Sequence, residues 1–162
     1  MTTPFTSTAD LFDAHGDRCQ SCPVQFRQYG GRRFFFGPIR TVQCLNDNVR
    51  VRHLLETKTE GGVLVVDGGD SLASALLGDI MAELGRKNGW AGVILFGAIR
   101  DAAVLATIDF GVKALGSNPQ KSRKEGTGST DVVIRRGGLV FTPGDWVYSD
   151  DDGILVSPTK LF

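Results

Sequence analysis

Two short motifs, Gly78-Asp79 and Arg100-Asp101, combine residue types suited to chemistry on a small anion. Arg100 follows Asp79 by twenty-one residues, and Asp101 follows Arg100 directly. A carboxylate such as that of Asp101 is a ligand for a hard divalent cation, and a guanidinium such as that of Arg100 binds a carboxylate or a carbonyl oxygen. Adjacent charged residues cannot both lie unpaired in a core. The motifs therefore predict a site for a metal ion and an anionic oxo acid.

The stretch that must position these motifs runs from Val63 to Asp101. Its pattern predicts a buried strand at Val63–Asp67, a long helix through Leu77, Met81 and Leu84, and a second buried strand at Val93–Phe96. Strand, helix, strand is typical of a parallel crossover unit, and ligands bind at the carboxyl ends of such strands. We therefore expect Arg100 and Asp101 to lie at that end.

Gly78 interrupts the helical pattern, because a glycine inside a helix costs about 1 kcal/mol relative to alanine. A new helix beginning beside Asp79 would let the backbone N–H groups of Ile80 and Met81 hold a carboxylate. A plain structural interpretation is also open. Arg100 and Asp101 would then form a surface ion pair, and Gly78 a packing notch before a helix cap.

The flanking sequence predicts mostly short strands with a few short helices. The predicted helices are one capped by Ser7 or Thr8 and ended by Gly16, one at Val49–Glu56 and a turn or two within Ala102–Ile108. The alternating start of Val49–Glu56 leaves a strand open there. The predicted strands lie between Pro23 and Leu45 and at Gly111–Leu115, Val132–Ile134, Leu139–Phe141, Trp146–Tyr148 and Ile154–Val156. We expect a single α/β domain over residues 1–162, with mixed sheets around a central βαβ unit.

Composition narrows the class of function. The formal net charge is zero, from 18 basic and 18 acidic side chains, which disfavours direct binding to nucleic acid. Three cysteines in 162 residues, with no export signal or membrane span, predict a soluble cytoplasmic protein in a reducing compartment. Cys19 and Cys22 are interpreted as ordinary thiols rather than half of a zinc site, since no second such pair exists.

A polar loop at Gly116–Thr130 follows the predicted central unit. Its basic residues Lys121, Arg123 and Lys124 would either attract an anionic substrate or keep the loop solvated. The acidic run Asp150–Asp152 lacks the alternating pattern of a calcium loop and predicts a tight turn. No glycine-rich nucleotide or S-adenosylmethionine loop is present in the sequence.

The motifs together resemble the RraA-like family. The likeness rests on VLVVDGG, on the spacing from Gly78-Asp79 to Arg100-Asp101, on QYGGRRFFFGPIRTVQC upstream and on PGDWVYSDDDGILVSP downstream, and it covers nearly the whole chain. The resemblance implies a swivelling β/β/α domain that assembles as a homotrimer or a dimer of trimers, with active sites at subunit interfaces.

The family includes class II pyruvate aldolases that act on 4-hydroxy-4-methyl-2-oxoglutarate and decarboxylate oxaloacetate. By this resemblance Asp101 would ligate Mg²⁺ or Mn²⁺, and Arg100 would bind the substrate and stabilise an enolate. Asp79 would hold the water that donates a proton, and the backbone from Gly78 through Ile80 to Met81 would bind the pyruvyl carboxylate.

The family also includes a regulator that binds and inhibits the endonuclease RNase E. Its best-known member lacks the aspartate of the Arg-Asp pair, whereas Asp101 is present here. We therefore expect a divalent-metal-dependent lyase of small 2-oxo acids, with regulation of RNase E as the alternative.

Overall fold

The computed structural model describes residues 6–162. The α-helices in this range are α1 (Thr8–His15), α2 (Val49–Glu56), α3 (Asp79–Lys87) and α4 (Ala102–Leu105), and a short 3-10 helix (Gly16–Arg18) follows α1. The strands are β1 (Gln20–Ser21), β2 (Arg27–Gln28), β3 (Phe35–Gln43), β4 (Val63–Asp67), β5 (Ala75–Leu77), β6 (Gly92–Ile99), β7 (Gly111–Ser117), β8 (Ser129–Thr130), β9 (Ile134–Arg136), β10 (Leu139–Phe141), β11 (Trp146–Asp150) and β12 (Gly153–Ser157).

A large mixed sheet organises the described chain. Its strand order is β1-β12-β11-β3-β4-β6-β7-β2, with β5 added beside β6 and β8 beside β3. The middle strands β3, β4, β6 and β7 are parallel, while β11, β12, β1 and β2 pair antiparallel with their neighbours. The long β3 joins both halves, because its first residues pair with β11 and its later ones with β4. This arrangement confirms the predicted α/β class.

Both faces of the parallel strands are buried. Every residue of β4 and β6 is buried, as expected of parallel strands covered on two sides. On one face α2 and α3 contribute Val51, Leu55 and Ala82 to the main core. On the other face the hairpin of β9 and β10 packs Ile134 and Phe141 against the sheet. Arg100 and Asp101 directly follow β6 and are therefore attached to a strand that is buried along its whole length.

One prediction about the central unit is wrong in detail. The long helix expected through Leu77 begins only at Asp79, and Ala75–Leu77 form the strand β5. This strand pairs in parallel with the end of β6, where Leu77 faces Ile99. Three consecutive buried apolar residues satisfy a helix or a strand equally well, and pairing with β6 decided the outcome.

Most other elements lie near their predicted positions, but the strand β1 was not predicted, and the end of β7 and the strand β8 lie within the stretch predicted as a polar loop. Ser7 caps α1 through a hydrogen bond to the Asp10 N–H, and Gly16 ends it. The strand expected at Val132–Ile134 lies two residues later, at Ile134–Arg136. No helix within residues 6–162 is long and apolar enough to cross a membrane.

Candidate active site

The first turn of α3 forms one wall of the site. Gly78 is the N-cap, and Asp79 is the first helical residue. Met81 and Ala82 point into the core, whereas the Ile80 side chain is 71% exposed. The amphipathic sequence therefore fixes the helix against the sheet and leaves its N-terminus open.

Asp101 connects the end of β6 to this helix start. Its backbone is left-handed (φ 61°, ψ 39°), a conformation that aspartate tolerates better than most residues. It precedes α4 without capping it through the side chain. Instead its Oδ2 accepts a hydrogen bond from the Asp79 N–H at 3.1 Å. The turn thus directs a carboxylate to the positive end of α3.

A second carboxylate occupies the same helix start. The Oδ1 of Asp79 accepts a hydrogen bond from the Ile80 N–H at 2.8 Å. Two amides of the first turn therefore already hold carboxylate oxygens. This is the behaviour expected of an anion-binding helix N-terminus.

Gly78 is required for space rather than for backbone freedom. Its φ of −132° and ψ of −168° suit any residue. A Cβ at this position, however, would lie 2.6 Å from Oδ2 of Asp101 and 3.5 Å from Cγ of Arg100. The glycine therefore creates the cradle in which the Asp101 carboxylate sits.

Arg100 lies directly beside this cradle. Its N–H donates a hydrogen bond to the Leu77 carbonyl oxygen at 2.9 Å, which fixes its backbone against the residue before Gly78. The guanidinium is exposed, and its Nη1 lies 3.5 Å from the Pro119 carbonyl oxygen. This weak contact leaves most of the guanidinium's donors available to a ligand.

A cavity of about 200 Å³ gathers the four residues of the two motifs and the two residues that follow Gly78-Asp79. Gly78, Asp79, Ile80, Met81, Arg100 and Asp101 all line it. Its volume suits a small organic acid better than a nucleotide. The structure therefore brings together every residue that the sequence placed at the site.

The opposite wall was not identified from the sequence. It comes from Asn48 and Arg52 at α2 and from Lys121, Ser122 and Lys124 of the polar loop. Arg52 is also paired with Glu56 at 3.0 Å, one helical turn away. The positive charge of the loop was the feature of the sequence that could have indicated this wall. The loop lies about forty residues after Asp79, however, and nothing in the sequence placed it in the same site.

The cavity has more positive than negative side chains. Four cationic residues line it beside two carboxylates: Arg52, Arg100, Lys121 and Lys124 against Asp79 and Asp101. A surplus of cationic groups around a small concave site attracts an anion and increases its rate of association. The electrostatics therefore agree with an anionic oxo acid.

The carboxylates present fit a magnesium-type ion better than a zinc ion. Asp101 and Asp79 both offer hard oxygen donors, and the Asp101 carboxylate is held beside Asp79 by the backbone N–H of that residue. No group of three His, Cys, Asp or Glu side chains arranged for a metal occurs within residues 6–162. Mg²⁺ commonly uses one or two carboxylates and keeps several waters, so this donor set suits it.

Comparison with known proteins identifies the fold and the family. The family model described as "RraA-like: Aldolase/RraA" matches residues 8–156. The chain belongs to the RraA-like family. The match includes both walls of the cavity.

Solved structures of similar proteins carry two different descriptions. A protein of Geobacillus kaustophilus, described as an S-adenosylmethionine: 2-dimethylmenaquinone methyltransferase, is 49% identical, with a TM-score of 0.95 and coverage of 96% of this chain and 97% of that one. The RNA-processing inhibitor RraA of Thermus thermophilis is 40% identical, with a TM-score of 0.94 and coverage of 98% and 96%. Members with one fold thus have different described roles.

A more distant relative extends the second description. An RraA protein of Streptomyces coelicolor, described as an unusual member of the RNase ES inhibitor family, is 27% identical with a TM-score of 0.77. The match covers 95% of this chain and 81% of that one. The family therefore includes described inhibitors of RNA-processing enzymes as well as the aldolases after which it is also named.

Proposed function

We propose that the protein is a divalent-metal-dependent lyase of small 2-oxo acids. The observation that carries the proposal is the junction of the Asp101 carboxylate, the Arg100 guanidinium and the N-terminus of α3 in one cationic cavity. We propose oxaloacetate decarboxylation as its reaction. Retro-aldol cleavage of 4-hydroxy-4-methyl-2-oxoglutarate to pyruvate is the related activity.

The residues have separate roles in this proposal. Asp101 would hold a Mg²⁺ or Mn²⁺ ion, and Asp79 would hold water bound to it; the ion would supply Lewis-acid stabilisation of negative charge on the substrate oxygen. The backbone from Gly78 through Ile80 to Met81 binds the carboxylate next to the oxo group, which replaces the protein's own carboxylates on the N–H groups of Asp79 and Ile80.

Arg100 acts where charge develops. Cleavage of the C3–C4 bond of oxaloacetate releases CO₂ and leaves its electron pair in the enolate of pyruvate. Arg100 donates hydrogen bonds to the enolate oxygen, which stabilises the transition state more than the ground state. A water oriented by Asp79 then gives a proton to C3, and pyruvate is the product.

The decisive experiment measures pyruvate released from oxaloacetate with and without Mg²⁺ or Mn²⁺. Free metal ions decarboxylate oxaloacetate slowly, so Asp101→Ala provides the background rate. We expect a rate at least 100-fold above that background for the wild type, and Arg100→Ala to lose most of it. Asp17→Ala, which removes an exposed carboxylate from a site outside the cavity, is the matched control.

One result would contradict the proposed lyase activity. If the wild type releases pyruvate no faster than Asp101→Ala, the protein does not decarboxylate oxaloacetate. Equal losses in Asp17→Ala and Asp101→Ala would show a general effect on the fold rather than a catalytic site. Thermal unfolding of each variant separates these cases.

A second candidate function is inhibition of RNase E. The 40% identity to an RNA-processing inhibitor over nearly the full length of both chains supports it. RNase E cleavage of a short RNA should then slow in the presence of both the wild type and Asp101→Ala. Arg123→Glu, which reverses an exposed charge, probes whether this loop contacts the nuclease. Unchanged cleavage at saturating protein would exclude this role.

The proposed assembly is a homotrimer or a dimer of trimers. Exposed apolar side chains on the site side of the fold, Leu72 (47%), Ile80 (71%) and Val104 (46%), are available for subunit contacts. Light scattering should give three or six times the 17.4 kDa of the chain. A charge introduced at this exposed apolar position, as in Val104→Glu, should weaken the assembly. A monomer at micromolar concentration would contradict it.

A further inference from the structure

A second cavity lies between α1 and β12, in the antiparallel part of the sheet. Its volume is about 350 Å³, and it shares no lining residue with the cavity of the candidate active site. One wall includes Ala9, Phe12 and Asp13 of α1. The other includes Ile154 and Leu155 of β12. Sites for small molecules commonly have volumes of about 300–1,000 Å³, so this cavity can hold a small ligand.

The wall formed by α1 is fixed against the sheet. The Asp150 carboxylate accepts hydrogen bonds from the N–H and the hydroxyl of Thr8 at 2.8 and 2.6 Å, and these hold the first residue of the helix. Leu11 is 3% exposed and packs into the apolar cluster beneath the helix. The next two residues, Phe12 and Asp13, are therefore left at the surface, where they line the cavity.

The turn between β11 and β12 contributes Asp152 and Gly153 to the lining. The Asp152 N–H donates to Oδ1 of Asp150 at 3.0 Å. The buried Lys113 ammonium donates to the carbonyl oxygens of Asp150 and Gly153 at 2.5 and 3.1 Å. These hydrogen bonds fix the turn, so the cavity exists before any ligand binds.

Part of the lining is apolar. Ile154 and Leu155 are 3% and 4% exposed, and the partly buried Cys22 lies beside them in the lining. The Phe12 ring is 45% exposed. An aromatic ring beside buried aliphatic side chains offers a large apolar contact area to the hydrocarbon part of a ligand.

The charged part of the lining favours a cation. Asp13 and Asp152 are exposed carboxylates, and neither forms a salt bridge with any residue of the described range 6–162. Phe12 and Asp13 also lie in the last turn of α1, where the helix dipole is negative. The basic residues His15 and Arg18 contact each other and do not line the cavity. The cavity therefore attracts positive charge.

We propose that this cavity binds a small organic ammonium ion. The charged head lies between Asp13 and Asp152, and the hydrocarbon part lies against Ile154 and Leu155. An ammonium group near the Phe12 ring also gains a cation–π interaction. The site is independent of the proposed lyase, because the two cavities share no residue. The lyase cavity attracts anions, so the two sites select ligands of opposite charge.

The test compares two molecules of the same shape that differ in charge. Binding of phenethylamine and of 2-phenylethanol to the wild type is measured by calorimetry. We expect phenethylamine to bind about fivefold more tightly, since an ion pair exposed to solvent contributes up to about that factor. Ethylamine, which lacks the ring, should also bind more weakly than phenethylamine. Added salt should weaken binding of phenethylamine and leave that of 2-phenylethanol unchanged.

Alkylation of the cysteines locates the bound amine. Cys22 lines the cavity, whereas Cys19 packs against a different apolar cluster and does not line it. Saturating phenethylamine should slow the modification of Cys22 by iodoacetamide and leave that of Cys19 unchanged. Tandem mass spectrometry distinguishes the two thiols, so Cys19 is a control within the same molecule.

Variants assign the preference to the two carboxylates. Asp13→Asn combined with Asp152→Asn alters exposed side chains and should lower the affinity for phenethylamine about fivefold, with no change for 2-phenylethanol. Phe12→Ser should weaken binding of both molecules, because both contact the ring. Glu60→Gln, which neutralises an exposed carboxylate outside the cavity, is the matched control and should change neither affinity.

Four results would overturn the ammonium site. The first is equal affinity of the wild type for phenethylamine and 2-phenylethanol. The second is binding of phenethylamine that leaves the alkylation of Cys22 unchanged, which would place the amine elsewhere. Much tighter binding to a variant that lacks residues 2–5 would show that the chain's own first residues occupy the cavity. Loss of binding as the protein associates at high concentration would show that a second copy covers it.

Discussion

Replacing Gly78 with alanine should damage the site while preserving the fold. The backbone angles at Gly78 suit alanine, so no strain arises there. The new Cβ would lie 2.6 Å from Oδ2 of Asp101, whereas ordinary contact begins near 3.4 Å. The carboxylate must therefore move by about 0.8 Å, taking it away from the Asp79 N–H.

The structure indicates how much stability and how much activity Gly78→Ala should lose. The hydrogen bond from Asp79 is exposed, so its loss should cost about 1 kcal/mol of unfolding free energy. For a chain of this length that lowers the melting temperature by about 2–4 °C. A misplacement of about 1 Å in a catalytic constellation can cost about 100-fold in rate. Activity should thus fall far more than stability.

The assay combines metal-dependent pyruvate release with thermal unfolding. Gly16→Ala is the matched control, because its new Cβ would meet only the Phe12 ring, which is 45% exposed. Combining Gly78→Ala with Asp101→Ala tests whether the contact between the new Cβ and the Asp101 carboxylate causes the loss of stability. Once the Asp101 carboxylate is absent, the nearest atom to the new Cβ is Cγ of Arg100 at 3.5 Å, so Gly78→Ala should cost no further stability.

Two results would refute this reasoning. Activity of Gly78→Ala within threefold of the wild type would show that the position of the Asp101 carboxylate does not control turnover. If Gly78→Ala lowers the stability equally in the wild type and in the Asp101→Ala background, the loss does not come from contact with the Asp101 carboxylate.

Three further predictions concern titratable groups outside the catalytic pair. Hydrogen bonds lower the pKa of Asp47 from 3.8 to about 2, so the stability that its ionised carboxylate contributes should be lost as the pH falls from about 4 to 2. The Asp47→Asn variant should not show this loss of stability in acid unfolding. Burial lowers the pKa of Lys113 from 10.5 to about 8, despite the opposing charge of Asp150, and the unfolded state therefore binds more protons between these values. Stability should rise from pH 8 towards 10.5, and Lys113→Met should show a smaller rise in denaturant titrations. Burial raises the pKa of the Cys44 thiol to about 12, so iodoacetamide at pH 8 should modify Cys44 only after unfolding, as mass spectrometry can show. An acid profile unchanged in Asp47→Asn, an identical alkaline rise in Lys113→Met, or prompt alkylation of native Cys44 would contradict the respective prediction.

Local patterns in the sequence specified much of the fold. The helix over Val49–Glu56 has the predicted bounds, because its apolar residues repeat with the helical period and lie on one face. The strand Val63–Asp67 was also predicted as it occurs, since a short apolar run between glycines favours a buried parallel strand. The strand at Ala75–Leu77 was missed because its conformation depends on a partner strand more than twenty residues away.

The sequence by itself determined one wall of the site, and the tertiary structure decided the other. Arg100 and Asp101 follow a buried strand directly, and Gly78 precedes a helix, so chain order alone placed them at one edge of the sheet. Lys121, Lys124 and Arg52 join them only because Asp47 and Ser122 attach distant segments to each other. Such hydrogen bonds depend on a folded backbone rather than on a local pattern. Their partners therefore become visible only in three dimensions.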